Sequence, residues 1–157
     1  MSRRTAIVRA LAVAAAVVAA DQVTKAIVRG SIGRGEQIDV FPGLDLVNTR
    51  NTGVAFGFFS GGGALVAVVA GLALAALLAF FFTHADRPLV WLPTGLLIGG
   101  AAGNLIDRAA EGSVTDFLDP PLWPAFNLAD AAITIGVLTL LYVLEGPPSR
   151  RGTARRA

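Results

Sequence analysis

Long apolar runs separated by short polar breaks dominate the pattern of this chain. Residues 64–82 are the clearest case, because they include no polar side chain and a helix needs about 20 residues to cross a bilayer. Similar runs recur along the chain, and the predicted spans cover about 6–28, 63–83, 89–105 and 126–144. The pattern predicts an all-α polytopic membrane protein with four transmembrane helices, folded as a single domain over residues 1–157.

The stretch between the first and second spans has a different period. Gln37–Phe41 and residues 44–48 alternate polar and apolar side chains, and Pro42-Gly43 separates them. Alternation with a period of two is typical of a half-buried strand, and Pro-Gly is typical of a turn. We therefore predict a small extracytoplasmic β-sheet, built on this hairpin, between helices 1 and 2.

Composition supports a membrane protein and excludes several kinds of chemistry. Of the 157 residues, 54% are apolar and only 15% are charged, against about 25% charged in an average soluble domain. The chain has no cysteine, which excludes disulfides and thiolate catalysis. Its only histidine, His84, lies in a break on the predicted cytoplasmic side, away from the other polar clusters. We expect no metal ion, no cofactor and no nucleic-acid partner.

Basic residues indicate the orientation in the membrane. They concentrate at the two ends of the chain: Arg3, Arg4, Arg9, Arg150, Arg151, Arg155 and Arg156. Cytoplasmic flanks carry the excess of Lys and Arg, so both termini are predicted to be cytoplasmic. The first run also resembles a cleavable signal peptide, with a basic start and Ala19-Ala20 before Asp21. Retention is favoured because four spans place both basic termini on one side.

A repeated tetrapeptide marks the candidate chemistry. The pattern Asn-Leu-x-Asp closes the third span at residues 104–107 and opens the fourth at 127–130, and Asp116 lies between them. Charges at the edge of a membrane are expensive to desolvate and usually functional. When two carboxyl groups lie close together, one keeps its proton. The ionised group can then deprotonate a water while the protonated group donates to a carbonyl oxygen, which is peptide hydrolysis without a metal.

Two of these carboxylates also have a simpler structural explanation. Asp107 can form an ion pair with Arg108 at the end of the third helix, and Asp130 can cap the start of the fourth, where the helix dipole favours a carboxylate. Asp116 has apolar neighbours, so a purely structural role explains it less well. Asn104 and Asn127 are suited to orient carboxylates as neutral hydrogen-bond partners.

Two further clusters have alternative interpretations. Asp21 and Lys25 are spaced i, i+4 and can form an ion pair across one helical turn. The cluster that contains Asn51 and Gly53 is either a turn into the second span or, through Asn51, a source of hydrogen bonds to an extended peptide. The glycines between residues 95 and 103 are expected to let helices approach closely.

Function classes other than an enzyme are possible for such a chain. A small transporter would use carboxylates as an ion site or proton relay, commonly near the middle of the membrane. Here they cluster at one rim. A purely structural membrane protein leaves the concentration of Asn and Asp unexplained.

Taken together, five blocks give the chain a specific resemblance. The blocks occupy residues 21–25, 51–57, 99–108, 112–117 and 126–130. In content and order they resemble the lipoprotein signal peptidase family, also called signal peptidase II, and they extend over most of the chain. One departure is Ala102, where a larger apolar residue is usual; it affects packing only.

The resemblance implies an aspartic endopeptidase of the bacterial cytoplasmic membrane. Such an enzyme cleaves the signal peptide from diacylglyceryl-modified prolipoproteins just before the lipidated cysteine, at a site near the outer face. Its partners would be these substrates, membrane lipids and inhibitors of the globomycin type, and we expect a monomer. The catalytic pair would be Asp116 and Asp130. The supporting or substrate-binding residues would be Asp21, Lys25, Asn51, Gly53, Asn104, Asp107, Arg108 and Asn127.

Overall fold

The chain forms four helices and three strands. The computed structural model describes residues 1–52, 63–84 and 87–145, and at 63–70 and 73–74 it describes the backbone alone. The elements in order are α1 (Arg3–Ser31), β1 (Gln37–Phe41), β2 (Leu44–Asn51), α2 (Gly63–His84), α3 (Trp91–Glu111), β3 (Val114–Asp119) and α4 (Leu128–Glu145). The four predicted helices are present at the predicted places, although α3 continues to Glu111, beyond the predicted end of the third span.

Two helices of the described part of the chain, α1 and α4, are long and apolar enough to cross a membrane. Both carry large apolar side chains on their outward faces: Val8, Leu11, Val23, Ile27, Ile135, Leu138 and Leu141. Extensive apolar exposure marks a surface that meets lipid or another protein. The transmembrane assignment of α2 and α3 rests on the sequence and remains a prediction.

Close approach of the helices depends on glycines of α3. A Cβ atom added at Gly100 would lie 2.5 Å from the carbonyl oxygen of Ala129 on α4, and one added at Gly99 would lie 2.8 Å from the carbonyl oxygen of Ala14 on α1. Both distances are too short for a real side chain, so α3 packs backbone to backbone between the other two helices. The predicted role of these glycines is confirmed, and residues 6–20 pack as part of α1.

The sheet has one strand more than the sequence predicts. Its order is β1-β2-β3, with β2 antiparallel to both neighbours. The predicted hairpin forms β1 and β2, with Gly43 at a φ of 94° in the turn. The third strand comes from the connection between α3 and α4, for which the sequence pattern predicts no strand. Val114 to Asp119 lacks the regular alternation that identified the hairpin, because Val114, Thr115, Asp116 and Phe117 are all buried.

The connection from α3 to β3 places the sheet at one end of the helices. α3 ends at Gly112, which has a φ of 68° and donates its N–H to the carbonyl oxygen of Arg108 at 3.0 Å. This left-handed residue is a common helix terminator and reverses the chain. Val28 and Ile32, at the end of α1, then pack with Phe117 of β3 in a small core. β3 therefore lies against the ends of α1 and α3, and Asp116 is carried there with it.

Candidate active site

Asp116 lies in the middle of β3, opposite Thr49 of β2, and only 2% of it is exposed. Its two oxygens accept hydrogen bonds from Nδ2 of Asn127 at 2.7 Å and Nδ2 of Asn51 at 3.0 Å. Burial raises the pKa of Asp116 to about 6, and the negative charge of Asp130 adds to the rise, while the two amide donors oppose it. The group can therefore exchange a proton close to neutral pH.

Asp130 is the third residue of α4, and Asn127 directly precedes the helix. Oδ1 of Asn127 accepts a hydrogen bond from the N–H of Asp130 at 2.9 Å, and Oδ2 of Asp130 accepts one from the N–H of Asn127 at 3.3 Å. These reciprocal bonds form a capping box, with Asp in place of the usual Glu or Gln. The capping role considered for Asp130 is confirmed. It uses one oxygen, and the other accepts a hydrogen bond from Asn104 Nδ2 at 2.8 Å.

Asn127 connects the two carboxyl groups and is fully buried. Its amide orientation follows from its neighbours, because the N–H of Asp130 is only a donor and must face the amide oxygen. Nδ2 is thereby directed at Asp116. The Asn127 side chain therefore donates from Nδ2 to the Asp116 carboxyl group and accepts with Oδ1 from the N–H of Asp130 at the start of α4.

Asn104 has a matching role toward Asp130. Its Oδ1 accepts hydrogen bonds from Nζ of Lys25 and from Nδ2 of Asn127, both at 3.1 Å. Both partners present donors, so the amide oxygen must face them and Nδ2 must face Asp130. The two asparagines of the repeated tetrapeptide thus serve one carboxylate each: Asn127 donates to Asp116, and Asn104 donates to Asp130.

Lys25 is the cation at the centre of the cluster and is fully buried. Its ammonium group contacts Asp21 at 2.8 Å, Asp107 at 3.1 Å and Asn104 at 3.1 Å. These three contacts account for its three N–H donors. The predicted ion pair of Asp21 with Lys25 is confirmed, but it lies inside the protein, and the contacts of Lys25 with Asp107 and Asn104 join α1 to α3. A buried charge requires complete pairing of this kind.

Asp107 has different partners from the one that the sequence suggested. Its Oδ2 contacts Lys25 and accepts a hydrogen bond from the N–H of Thr115 at 3.0 Å. The expected ion pair with Arg108 is wrong: α3 remains helical there, and consecutive residues on a helix do not face each other. Arg108 instead donates to the carbonyl oxygen of Asn104 at 3.5 Å, and its buried Nε has no hydrogen-bond partner among the described residues. Asp107 ties the residue before Asp116 to α3.

Gln22 is a site residue to which the sequence reasoning assigned no role. Its Nε2 contacts Asp107 at 3.0 Å, the carbonyl oxygen of Gly103 at 3.1 Å and Asp21 at 3.2 Å. Asp21 in turn accepts the N–H of Ala129 at 3.0 Å, which satisfies a second free donor at the start of α4. Gln22 lies inside the 21–25 block, but only the rotation of α1 shows that it faces α3.

A cleft of about 590 Å³ opens beside Asp116 on the sheet. Its described lining residues are Gly35, Gln37, Val47, Thr49, Arg50, Asn51, Thr52, Asp116, Asp119, Pro124 and Ala125. Asn51 thus contacts Asp116 and also borders the open space. Gly53, the other residue predicted in that block, lies outside the described residues. Within the described ranges no group of three His, Cys, Asp or Glu residues is arranged to hold a metal ion.

The chain is similar to known proteins over most of its length. The family model for signal peptidase (SPase) II matches residues 13–145. The lipoprotein signal peptidase of Moorella thermoacetica is 40% identical over 144 residues, which cover 90% of this chain and 96% of that protein. The lipoprotein signal peptidase of Syntrophomonas wolfei is 41% identical over 138 residues, covering 86% and 93% of the two chains.

Two solved structures, each described as a bacterial membrane enzyme determined by the in meso method, share the fold. One superposes with a TM-score of 0.79 at 35% identity and covers 86% of this chain and 91% of its own. The other has a TM-score of 0.80 at 33% identity and covers 94% of both chains.

Proposed function

The chain belongs to the signal peptidase (SPase) II family, and from this membership we propose an aspartic endopeptidase that matures lipoproteins. It removes the signal peptide from diacylglyceryl-modified prolipoproteins and cuts just before the lipidated cysteine. The membership itself supports signal-peptide cleavage and a membrane location. The aspartic mechanism, the cut position and the roles of individual residues are our proposal.

Asp116 and Asp130 are the catalytic pair in this proposal. The observation that supports it most directly is Asn127, whose side chain and N–H hold a carboxyl group of β3 and one of α4 in a single network. We assign the resting proton to Asp116, because burial raises its pKa to about 6. We assign the resting negative charge to Asp130, which is half-buried and lies at the start of α4, where the helix dipole favours a carboxylate.

The reaction then proceeds without a covalent bond between the enzyme and the substrate. The Asp130 carboxylate takes a proton from a water molecule whose oxygen attacks the scissile carbonyl carbon, while Asp116 gives its proton to the carbonyl oxygen. In the second half, the Asp116 carboxylate takes a proton from a hydroxyl of the tetrahedral intermediate, and Asp130 gives its proton to the amide nitrogen as the C–N bond breaks. Both groups return to their starting protonation states.

The position of the network fits a lipid-modified substrate. The two carboxyl groups lie at the end of α1 opposite to Arg3, Arg4 and Arg9, and positive residues favour the cytoplasmic side. We propose four membrane spans, cytoplasmic termini and a site near the outer face. A diacylglyceryl group keeps its acyl chains in the bilayer, so the bond to be cut is presented at the same interface.

The supporting residues keep the pair in place. Lys25 forms ion pairs with Asp21 and Asp107, orients Asn104 and so determines which atom of Asn104 faces Asp130. Asn51 orients Asp116 from the cleft side. Arg108 has a donor that the described residues leave without a partner, and we propose that it assists substrate binding, together with Gly53.

Cleavage by the purified protein tests the proposal. A diacylglyceryl prolipoprotein should be cut before the lipidated cysteine, the same chain without lipid should not, and globomycin should inhibit the reaction. Asp116→Asn and Asp130→Asn should each remove cleavage, while Asp39→Asn, which removes an exposed carboxylate of β1, should keep it. Substantial cleavage by either of the first two variants would contradict the assigned pair.

A further inference from the structure

A second cleft adjoins the first at the far end of the sheet. Its described lining consists of the turn glycine of the hairpin, two aspartates and the loop after β3: Gly43, Asp45, Asp119, Pro120, Pro121, Leu122 and Trp123. Asp119 borders both clefts. The two clefts therefore meet at Asp119, three residues after Asp116 on β3.

The strand direction identifies which part of a substrate would occupy this second cleft. β3 leaves the end of α3 at Gly112, so Asp119 lies farther along the strand from the helices than Asp116, by about 10 Å at ~3.3 Å per residue. The signal peptide and the acyl chains of a prolipoprotein stay in the membrane. Only the chain after the lipidated cysteine must leave for water, and the end of the sheet away from the helices gives it room.

The charge of the second cleft is negative. Asp45 and Asp119 are direct cross-strand partners, and none of its described lining residues is Lys or Arg. Asp45 accepts a hydrogen bond from the neutral amide of Gln37, and the Asp119 carboxylate has no ion-pair or hydrogen-bond partner among the described residues. The cation of the first cleft, Arg50, is already paired with Glu111 and cannot neutralise them.

An aromatic ring lies next to these carboxylates. Trp123 borders the second cleft and is 68% exposed. The face of a tryptophan ring attracts Lys and Arg side chains, more strongly than the other aromatic rings do. A carboxylate pair and an open indole together favour a basic side chain and disfavour an acidic one.

We propose that Asp119, assisted by Asp45 and Trp123, makes the enzyme prefer prolipoproteins with basic rather than acidic residues directly after the lipidated cysteine. This inference rests on the proposed function. Asp119 acts here as a specificity determinant that contacts the departing chain, and it takes no part in the proton transfers.

Competing substrates measure the preference. Three diacylglyceryl prolipoprotein peptides would differ only in the two residues after the cysteine: Lys-Lys, Gln-Gln or Glu-Glu. Because an exposed charge pair is worth up to about a fivefold change in an equilibrium, we expect kcat/KM for the lysine peptide to exceed that for the glutamate peptide by about threefold to tenfold. The ratio should fall in roughly 0.5 M NaCl, which screens exposed charges.

Variants assign the preference to this cleft. Asp119→Asn should bring the lysine-to-glutamate ratio close to one, and Asp45→Asn should reduce it partly. Glu145→Gln removes the same charge from an exposed position at the end of α4 that lines neither cleft, and it should retain the wild-type ratio.

The outcomes separate this inference from the proposed function. A wild-type ratio within twofold of one, a ratio that survives Asp119→Asn, or an equal loss in Glu145→Gln would overturn the specificity role while cleavage itself continued. Failure of the wild-type protein to cut any of the three peptides would instead refute the proposed function.

Discussion

Replacing Asp116 by Asn should remove activity and at the same time make stability less sensitive to pH. The folded protein raises the pKa of Asp116 from 3.8 to about 6, mainly through burial. The native state therefore binds this proton more tightly than the unfolded state. Its stabilising effect is complete below about pH 4 and is lost as the pH rises through 6.

The size of the effect follows from the same shift. At about 1.4 kcal/mol for each unit of pKa, ionising Asp116 lowers the free energy of unfolding of the wild type by about 2.5 kcal/mol between pH 4 and pH 8. Asparagine does not ionise, so the variant escapes this loss. The asparagine side chain has a single oxygen, whereas the Asp116 carboxylate accepts from Asn51 with one oxygen and from Asn127 with the other. The variant therefore loses one hydrogen bond, which costs about 1 kcal/mol at every pH.

Thermal unfolding of both proteins in one detergent, from pH 4 to pH 8, measures the difference. We expect the variant to be slightly less stable at pH 4 and more stable at pH 8. The total change in the Tm difference should be about 5–10 °C, at roughly 2–4 °C per kcal/mol for a chain of this size. All other ionisable groups are present in both proteins, so their effects cancel in the Tm difference. The Tm of Asp39→Asn should vary with pH as the wild-type Tm does. A Tm difference that does not vary with pH would refute the buried, proton-binding Asp116.

Further expectations concern the helices and the buried cation. Gly100→Ala places a Cβ 2.5 Å from the carbonyl oxygen of Ala129 and should lower the free energy of unfolding by about 1–3 kcal/mol. Gly71→Ala should not destabilise, because no described atom outside the neighbouring backbone of α2 lies within 4 Å of the new Cβ. Equal effects of the two substitutions in denaturant titrations would argue against the tight contact of α3 with α4. Lys25→Met leaves the buried Asp21 without its cation and leaves Asp107 with the longer ion pair to Arg29 at 3.7 Å. It should destabilise by about 3–5 kcal/mol, so a variant with the wild-type Tm would exclude Lys25 as the central cation. Because Asp116 donates a proton and has a pKa of about 6, kcat/KM should decline above about pH 6; a rate that instead declines below pH 6 would identify Asp116 as the base.

Much of the fold follows from local patterns in the sequence. The apolar runs predict the four helices to within a few residues, except at the end of α3, and the alternation at Gln37–Phe41 with the Pro42-Gly43 turn predicts the hairpin. These features repeat with the period of the backbone itself, so neighbouring residues are sufficient to show them. β3 lacks such a signal, because nearly all of it is buried and its partner β2 lies more than 60 residues earlier.

The candidate site divides in the same way. The sequence determined by itself which residue types are available: a repeated Asn-Leu-x-Asp, an aspartate between the copies, and Asp21 with Lys25 one turn apart. Tertiary structure decided their partners. Asp107 faces Lys25 instead of Arg108, Asn127 and Asn104 direct their amide groups at different carboxylates, and Gln22 enters the network. The physical reason is that these partners belong to different elements. Their contacts depend on the rotation of α1, α3 and α4 about their axes and on the register of β3, and only packing sets those quantities.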